Sequence, residues 1–259
     1  YKLEIEDNLK ELINLASVSS SLIVLPEAEL PYTYKSANFK NFESDINTDQ
    51  TIIGGVWHIS EGNLYNSMVN FQSQQIYNKV HLVPFGEYIP FISSLRGLIS
   101  FFDMPMSDVI KGKSNQKPMV FDTQSLKKMA PLICFDIAFG NTVRKSNISS
   151  LFMVNISNDT WFGKSIGPYQ HLDIARVRTI ENNKWMIRAT NDGFSALIDN
   201  NGTIVDKLEK GVTDVLDGSI MLLDKRTIYS QYGYYLPYVL AFFILLISVI
   251  IRLCSKKQY

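Results

Sequence analysis

Residues 131–136 read Pro-Leu-Ile-Cys-Phe-Asp, an apolar run with a cysteine near its end and a carboxylate directly after it. Such a short, continuous apolar run is typical of a buried strand, and we expect a helix to follow it. A free cysteine in this position is most simply a small buried hydrophobic residue. A nucleophile here would need a base and a cation beside Cys134, because only the thiolate is reactive.

Two earlier apolar runs end on side chains that could supply that base and that cation. Residues 22–25 read Leu-Ile-Val-Leu and lead into a Pro-Glu pair that ends at Glu27, and Lys79 closes the run 75–80. Strand ends of a layered sheet meet at one edge, where sites collect. Each residue alone would be an ordinary exposed strand end. The ordered set of Glu27, Lys79 and Cys134 instead predicts a catalytic cysteine site.

The remaining periodicities predict an α/β domain with a mixed sheet. Helical spacing of apolar residues covers 3–16 and 169–184, and Asn200-Asn201-Gly202 indicates a hairpin with a type I′ turn. Further strand-like runs cover residues 51–57, 64–71, 118–122, 151–156, 194–199 and 203–207. Strands mixed with helices and hairpins are typical of a layered α/β domain. The segment 81–117 is rich in aromatic residues and proline, and a loop of this length is usually functional.

The C-terminal segment has the length and composition of a transmembrane helix. The 25 residues between Arg226 and Arg252 carry no charge, and 17 of the 20 residues in 234–253 are hydrophobic. About 20 such residues span the hydrocarbon core of a bilayer. A buried core helix is the alternative, although no polar face is present. We expect a transmembrane helix at 229–253 and a short basic cytoplasmic tail at 254–259, which places the preceding domain outside.

Overall charge and cysteine count exclude several classes of protein. The 259 residues carry 25 Lys+Arg against 25 Asp+Glu, so no positive charge favours nucleic acid as a partner. Two cysteines cannot form a disulfide scaffold. His58, His81 and His171 lack partners at metal-ligand spacing, so we expect neither a metal nor a cofactor. Residues 163–167 match the Gly-x-Ser-x-Gly pattern of serine hydrolases, but no strand precedes them.

Three blocks of the sequence resemble the catalytic blocks of the nitrilase, or carbon–nitrogen hydrolase, superfamily. They are PEAELP at 26–31, NKVHLVPFGEYIP at 78–90 and PLICFD at 131–136. Residues 158–163 and the residues around His171, Arg188 and Asn191 are similar to the apolipoprotein N-acyltransferase branch, and the resemblance covers almost the whole chain. It implies a layered α-β-β-α nitrilase-like sandwich over residues 1–228, followed by the transmembrane helix.

The resemblance also implies a mechanism. Glu27 would be the general base, and Cys134 would be the nucleophile that takes an acyl chain from a phospholipid as a thioester. Lys79 would stabilise the oxyanion together with the backbone N–H of Phe135. The acceptor would be the N-terminal amine of a diacylglyceryl-cysteine lipoprotein, at the periplasmic face of a bacterial inner membrane. Supporting roles are implied for Glu87, Phe135 and Asp136, and substrate binding for Phe85, Tyr88 and Trp161.

The sequence departs from the family pattern at several points. Leu25 stands where the family has Trp, and Phe135-Asp136 replaces a Tyr-Glu pair. The family's membrane-helix bundle and first core strand do not precede this chain, which begins at Tyr1, so we expect a piece of a longer enzyme. Two alternatives stay open: a membrane-anchored amidase or nitrilase-type C–N hydrolase, and an inactive remnant of the acyltransferase.

Overall fold

The computed structural model describes residues 2–16, 21–46, 49–88, 109–122 and 125–255. Its helices are α1 (Lys2–Ala16), α2 (Ala37–Asp45), α3 (Gly140–Ser146), α4 (Gly167–Asn182), α5 (Ile228–Tyr232) and α6 (Tyr235–Ser255). Its strands are β1 (Leu22–Val24), β2 (Thr51–Ser60), β3 (Asn63–Asn70), β4 (Ile76–Asn78), β5 (Met119–Asp122), β6 (Lys127–Ile133), β7 (Phe152–Asn158), β8 (Met186–Asn191), β9 (Ala196–Ile198) and β10 (Ile204–Lys207). Short 3₁₀ helices, Cys134–Ala138 and Asp159–Phe162, follow β6 and β7 directly.

Two mixed sheets form the centre of the domain. The first has the order β1-β2-β3-β4, with β1 parallel to β2 and the other pairs antiparallel. The second has the order β10-β9-β8-β7-β6-β5, and its central strands β6, β7 and β8 are parallel. Because β6 and β7 run in the same direction, the 3₁₀ helices that follow them begin at the same edge of the sheet.

Apolar side chains fill three layers, which together make the predicted α-β-β-α sandwich. Met68 of the first sheet and Val154 of the second lie in the cluster between the sheets. Phe39 and Phe42 of α2 cover the outer face of the first sheet, together with residues of α1. Leu172 of α4 covers the second sheet. Burying each of these large side chains stabilises the fold by about 1.5–3 kcal/mol.

The sequence periodicities do not predict two of these elements, α2 and β8. α2 is only nine residues long, and its first turn is fixed by Ser36, whose hydroxyl accepts the Phe39 N–H at 3.2 Å. β8 lies in the middle of the second sheet, yet it contains the fully buried Arg188. A buried arginine hides the apolar character that would otherwise indicate a central strand.

The predicted hairpin is formed by β9 and β10, but its turn is of a different type. The Asp199 N–H donates to the Thr203 carbonyl at 2.9 Å, which leaves three residues in the loop. Of these three, only Gly202 has a positive φ, 78°. A type I′ turn needs positive φ at two central residues, so the loop is instead the three-residue kind that ends on a left-handed glycine.

The C-terminal residues form two helices rather than one. α5 lies against the rest of the domain, where Thr227 donates its hydroxyl to the Glu181 carbonyl and Ser230 is buried. Gly233, with φ of 60°, separates α5 from α6. α6 is long and apolar enough to cross a membrane, and the window Tyr235–Arg252 is 0% buried. Residues 256–259 of the expected basic tail lie outside the described residues.

Candidate active site

The two sheets contribute different parts of one buried site. Glu27 comes shortly after β1 and Lys79 directly after β4, both in the first sheet, whereas Cys134 comes directly after β6 in the second. Their exposed fractions are 3%, 2% and 6%. Buried ionisable groups of this kind persist only when they are paired, and strongly perturbed groups in such an environment mark functional sites.

A glycine in the neighbouring strand allows Glu27 to reach this position. Gly55 of β2 packs directly beneath the turn that carries Glu27, and its N–H donates to the Pro26 carbonyl at 3.1 Å. A Cβ at Gly55 would lie 2.6 Å from the Glu27 Cα and 2.5 Å from the Ala28 nitrogen. Any other residue in that strand would therefore displace the backbone of the turn.

Lys79 lies between two carboxylates. Its Nζ is 3.0 Å from Oε1 of Glu27 and 2.8 Å from Oε1 of Glu87. Asn66 of β3 donates its side-chain amide to the same two oxygens, at 2.6 and 3.1 Å. Burial lowers the pKa of Lys79, but the negative charges of Glu27 and Glu87 outweigh burial and raise it, so the ammonium form is retained.

Backbone and side-chain amides hold the remaining oxygens of both glutamates. Oε2 of Glu27 accepts the Asn158 N–H at 2.7 Å, and Oε2 of Glu87 accepts the Val83 N–H at 2.8 Å. The Glu27 carbonyl accepts the side-chain amide of Asn191 at 2.8 Å. The two carboxylates are therefore fixed in place, as a preorganised site requires.

Cys134 occupies a strained position at the start of a helix. Its φ of 45° is in the left-handed region, which is uncommon for a residue other than glycine and is often found at functional sites. The 3₁₀ helix Cys134–Ala138 begins at this residue. The N–H of Phe135 is in the first turn and has no acceptor inside that helix, so it is available to an oxyanion next to the thiol.

The Cys134 thiol is neutral at rest. Burial raises its pKa, and so does the negative charge of Glu27, whereas Lys79 and a hydrogen bond from Ser157 lower it; the resulting pKa is about 12. A thiol with such a pKa is not a nucleophile at neutral pH. The site can therefore work only if a base removes the proton during the reaction. Glu27 and Asp159 both interact electrostatically with this thiol, and the effect of Glu27 is the larger.

Asp136 connects the Lys79 loop to the turn that carries the cysteine. Its carboxylate accepts four hydrogen bonds: from the N–H groups of Val80 at 3.1 Å, His81 at 2.8 Å and Ile133 at 3.2 Å, and from the Tyr77 hydroxyl at 3.1 Å. Burial raises the pKa of Asp136 to about 6 despite these bonds. These bonds tie the end of β4 to the end of β6, and a supporting role of Asp136 in catalysis stays a prediction.

The three residues expected to bind substrate lie at different depths. Phe85 and Trp161 are 63% and 59% exposed, and Tyr88 is half-buried. Phe85 and Tyr88 flank the buried Glu87 in one turn, which the Phe85 N–H closes by donating to the Tyr88 carbonyl at 2.7 Å. Residues 89–108 of the long aromatic segment lie outside the described residues. Acyl-chain binding by these side chains stays a prediction.

A second polar cluster, which the sequence reasoning does not predict, lies beside Cys134. Oδ1 of Asp159 is 2.7 Å from the Ser157 hydroxyl and 2.9 Å from Nδ1 of His171, and Oδ2 is 2.9 Å from Nη2 of Arg188. Nε2 of His171 is 3.3 Å from the Cys134 carbonyl oxygen. Burial alone would raise the pKa of Asp159, but the His171 hydrogen bond and the Arg188 charge bring it to about 2.

The site contains further residues that sequence patterns alone could not identify. Asn66 lies inside β3, where an asparagine carries no signal of its own. His171 and Arg188 belong to the motif that supports the family resemblance, but that motif assigns them no role. Within the described residues, no group of three or more histidine, cysteine, aspartate or glutamate side chains could hold a metal ion.

Comparison with known sequences identifies relatives of this chain. The profile of the carbon–nitrogen hydrolase family matches residues 2–226. The chain is 33% identical to the apolipoprotein N-acyltransferase of Haemophilus ducreyi over 265 residues, which cover 96% of this chain and 52% of that protein. It is 37% identical to the Pseudomonas syringae protein of the same name over 225 residues, covering 83% of this chain and 44% of that protein. The chain thus spans about half the length of these curated relatives.

Solved structures share the fold. A mutant of the Nesterenkonia AN1 amidase from the nitrilase superfamily superposes with a TM-score of 0.59 at 16% identity, covering 89% of this chain and 88% of that one. A CN-hydrolase superfamily protein from Xanthomonas campestris superposes with a TM-score of 0.60 at 17% identity, covering 80% and 81%. At such low identity, these superpositions establish the fold alone.

Proposed function

The chain belongs to the carbon–nitrogen hydrolase family, and we propose that it is the catalytic part of an N-acyltransferase that moves an acyl chain from a phospholipid to a lipoprotein. The acceptor is the N-terminal amine of a diacylglyceryl-cysteine. One observation carries the proposal: Lys79 is buried between Glu27 and Glu87 beside a neutral cysteine thiol. The relatives named apolipoprotein N-acyltransferase support the choice of substrates.

The first half-reaction forms a thioester. Glu27 takes the proton from the Cys134 thiol, and the sulfur attacks the carbonyl carbon of the phospholipid ester. Negative charge develops on the carbonyl oxygen, where Lys79 and a backbone N–H at the start of the cysteine helix stabilise it. The tetrahedral intermediate then expels the lysophospholipid alkoxide, which takes the proton back from Glu27. The acyl chain remains on sulfur.

The second half-reaction forms an amide. The free α-amine of the lipoprotein attacks the thioester carbon, and Glu27 accepts a proton from the attacking nitrogen. The C–S bond breaks, and the Cys134 thiolate recovers its proton from Glu27. Glu87 contributes by fixing the ammonium of Lys79 and by offering a second carboxylate near the incoming amine. Water must be kept out during the lifetime of the thioester, because it would hydrolyse the intermediate.

Substrates of this kind require the enzyme to work at a membrane surface. α6 has the length and composition of a membrane anchor, and it is not buried against the domain. The exposed rings of Phe85 and Trp161, together with Tyr88, are suited to contact acyl chains as they leave the bilayer. We place the protein in a bacterial inner membrane with the catalytic domain on the periplasmic face.

The proposal is tested by intact-mass measurement of the full chain after incubation with a diacyl phospholipid in detergent. The expected result is an acyl-sized mass increase that hydroxylamine removes and that Cys134→Ala abolishes. Cys254→Ala is the matched control, because it deletes the other cysteine of the chain and should leave the adduct unchanged. Addition of a diacylglyceryl-cysteine peptide should then discharge the adduct to an N-acyl peptide.

The same experiment separates the two alternatives. A C–N hydrolase would release free fatty acid or a carboxylic acid from a small amide and would not acylate the peptide amine. An inactive remnant would give no adduct on Cys134 under any condition. Either result would refute acyl transfer by this chain.

A further inference from the structure

The second polar cluster touches the nucleophile at two places. The Ser157 hydroxyl lies within reach of the Cys134 sulfur, where a hydrogen bond from it lowers the pKa of the thiol, and Nε2 of His171 is 3.3 Å from the Cys134 carbonyl oxygen. Both groups are also held by one oxygen of Asp159, at 2.7 Å for Ser157 and 2.9 Å for His171. A single buried carboxylate therefore determines the position of two groups that contact the cysteine.

Asp159 is itself fixed by its surroundings. It is fully buried, and Arg188 holds its other oxygen at 2.9 Å. Arg188 also donates to Asn155 within the sheet, so the guanidinium has little freedom to move. A Cβ at Gly193 would lie 2.4 Å from Oδ2 of Asp159, so any larger residue at position 193 would collide with the carboxylate of this ion pair.

The protons on His171 and Ser157 can be placed so that both side chains form hydrogen bonds with Cys134. With His171 doubly protonated, Nδ1 donates to Oδ1 of Asp159 at 2.9 Å and Nε2 donates to the Cys134 carbonyl at 3.3 Å. A neutral ring protonated only at Nε2 keeps the Cys134 contact but loses the bond to Asp159, and its Nδ1 accepts from Arg188 Nη2, 3.1 Å away. Ser157 has one proton, which it donates to Asp159 while the thiol is neutral. When the thiol loses its proton, the hydroxyl can rotate and donate to the new thiolate.

We propose that Asp159 is a positioning residue for the nucleophile Cys134. It acts through Ser157 at the thiol and through His171 at the backbone carbonyl. The first contact stabilises the thiolate when Glu27 removes the proton. The second holds the cysteine in its left-handed conformation, with φ of 45°, so that the sulfur and the helix N–H groups face the same space. The acyl-transfer measurement below rests on the proposed function, whereas the alkylation measurement does not.

The test uses Ser157→Ala and two variants of His171 in the full chain with Cys254→Ala. The first measurement is the rate of iodoacetamide alkylation of Cys134, followed by intact mass at a fixed pH. Loss of a hydrogen bond to a charged group should slow alkylation by about tenfold or more in Ser157→Ala. Ser150→Ala is the matched control, because the buried Ser150 hydroxyl donates to the Ser146 carbonyl at 2.8 Å and alkylation should not change.

The second measurement is the kinetics of acyl transfer from phospholipid. His171→Leu should lower kcat by about tenfold and leave KM within about twofold, because a positioning contact acts on the reacting group rather than on substrate binding. His171→Gln should recover most of the loss, since its amide nitrogen can donate where Nε2 does. Asp159→Asn is unsuitable as a test, because it would strand the buried charge of Arg188 and destabilise the fold as a whole.

The outcomes separate this inference from the proposed function. Slower alkylation in Ser157→Ala with no acyl transfer in any variant would support the positioning role and refute acyl transfer. Wild-type alkylation and wild-type kcat in both Ser157→Ala and His171→Leu would overturn the positioning role. So would an equal slowing in Ser150→Ala, because the effect would then be one of general stability.

Discussion

The ammonium of Lys79 lies 3.0 Å from a carboxylate oxygen of Glu27, and both side chains are almost completely removed from solvent. Each of these charges is tolerated in the interior only beside the other, because removing one partner leaves an uncompensated buried charge. In this protein the pair is also shared with Glu87, so the site carries two negative charges for one cation. This excess of negative charge makes the lysine indispensable both for the fold and for any anion formed next to it.

Replacement of Lys79 should therefore destabilise the protein as well as inactivate it. We expect Lys79→Met to lower the free energy of unfolding by about 3–5 kcal/mol, because both carboxylates lose their counter-charge. Urea unfolding followed by circular dichroism measures this change. Lys184→Met is the control. Lys184 is equally buried, but within the described residues it donates to the Leu223 carbonyl and not to a carboxylate. Its loss should cost about 1–3 kcal/mol and spare thioester formation. Equal losses in the two variants would contradict the prediction.

Glu27→Gln should separate chemistry from stability. The amide has the same size as the carboxylate, and Lys79 keeps its ion pair with Glu87, so we expect the melting temperature to fall by only a few degrees. Thioester formation should stop, because an amide cannot take the thiol proton and the pKa of Cys134 stays far above neutral. Intact mass after incubation with phospholipid gives the result. An adduct formed at the wild-type rate would exclude Glu27 as the base.

Asn66→Leu should weaken the site without removing a charge. Its side-chain amide donates to Oε1 of both Glu27 and Glu87, and leucine leaves those oxygens with Lys79 alone. We expect kcat to fall by about ten- to a hundredfold, the equivalent of one to two hydrogen bonds to charged groups. Steady-state acyl transfer measures kcat. Asn182→Leu, which removes a buried amide that donates to the Arg178 carbonyl on α4, should leave kcat unchanged.

The rate of Cys134 alkylation should continue to rise at pH values where an ordinary thiol is already fully ionised and reacts at a constant rate. Its pKa is raised from 9.0 to about 12, mainly by burial, so the thiolate fraction keeps growing through pH 10. The rate of iodoacetamide modification in Cys254→Ala, measured between pH 7 and 10.5, gives the titration. A plateau below pH 9 would show that the thiol is not held neutral in the folded protein.

Ionisation of Asp136 should reduce the stability of the fold. Burial raises its pKa from 3.8 to about 6, so the folded state binds this proton more tightly than the unfolded state does. The stabilisation by this group is complete below about pH 4 and is lost as the pH rises through 6. Asp136→Asn has no such titration, so its stability does not follow this pH dependence. Relative to the variant, the wild type should lose about 1–3 kcal/mol of unfolding free energy between pH 4 and 7. Urea titrations at pH 4 and 7 measure the shift, and a constant difference would contradict it.

The strand ends of the site are predictable from the sequence, but the contacts that hold them are not. Glu27, Lys79 and Cys134 could be predicted because each interrupts an apolar run at the point where a strand stops. Asn66 could not, because it lies within β3 and its role depends on which strands become neighbours. Arg188 is a stronger example. Its charge hides the central strand β8, and only the distant Asp159 makes that charge tolerable inside the sheet.

Local turn chemistry was also only partly predictable. The Asn-Gly pair located the hairpin between β9 and β10 correctly, but the chain forms a three-residue loop with one left-handed residue. α2 was missed because two buried phenylalanines in nine residues give too little periodicity. In both cases short-range side-chain contacts shape the backbone: Ser36 accepts the Phe39 N–H, and Asp199 accepts the N–H groups of Asn201 and Thr203.

The division of the site between the two sheets has a consequence for the folding of the chain. A chain in which only the first sheet has formed contains Glu27 and Lys79 but no nucleophile next to them. A chain in which only the second has formed contains a cysteine without its base. The reactive combination comes into existence only when the sheets dock, so a partly folded chain has no complete site.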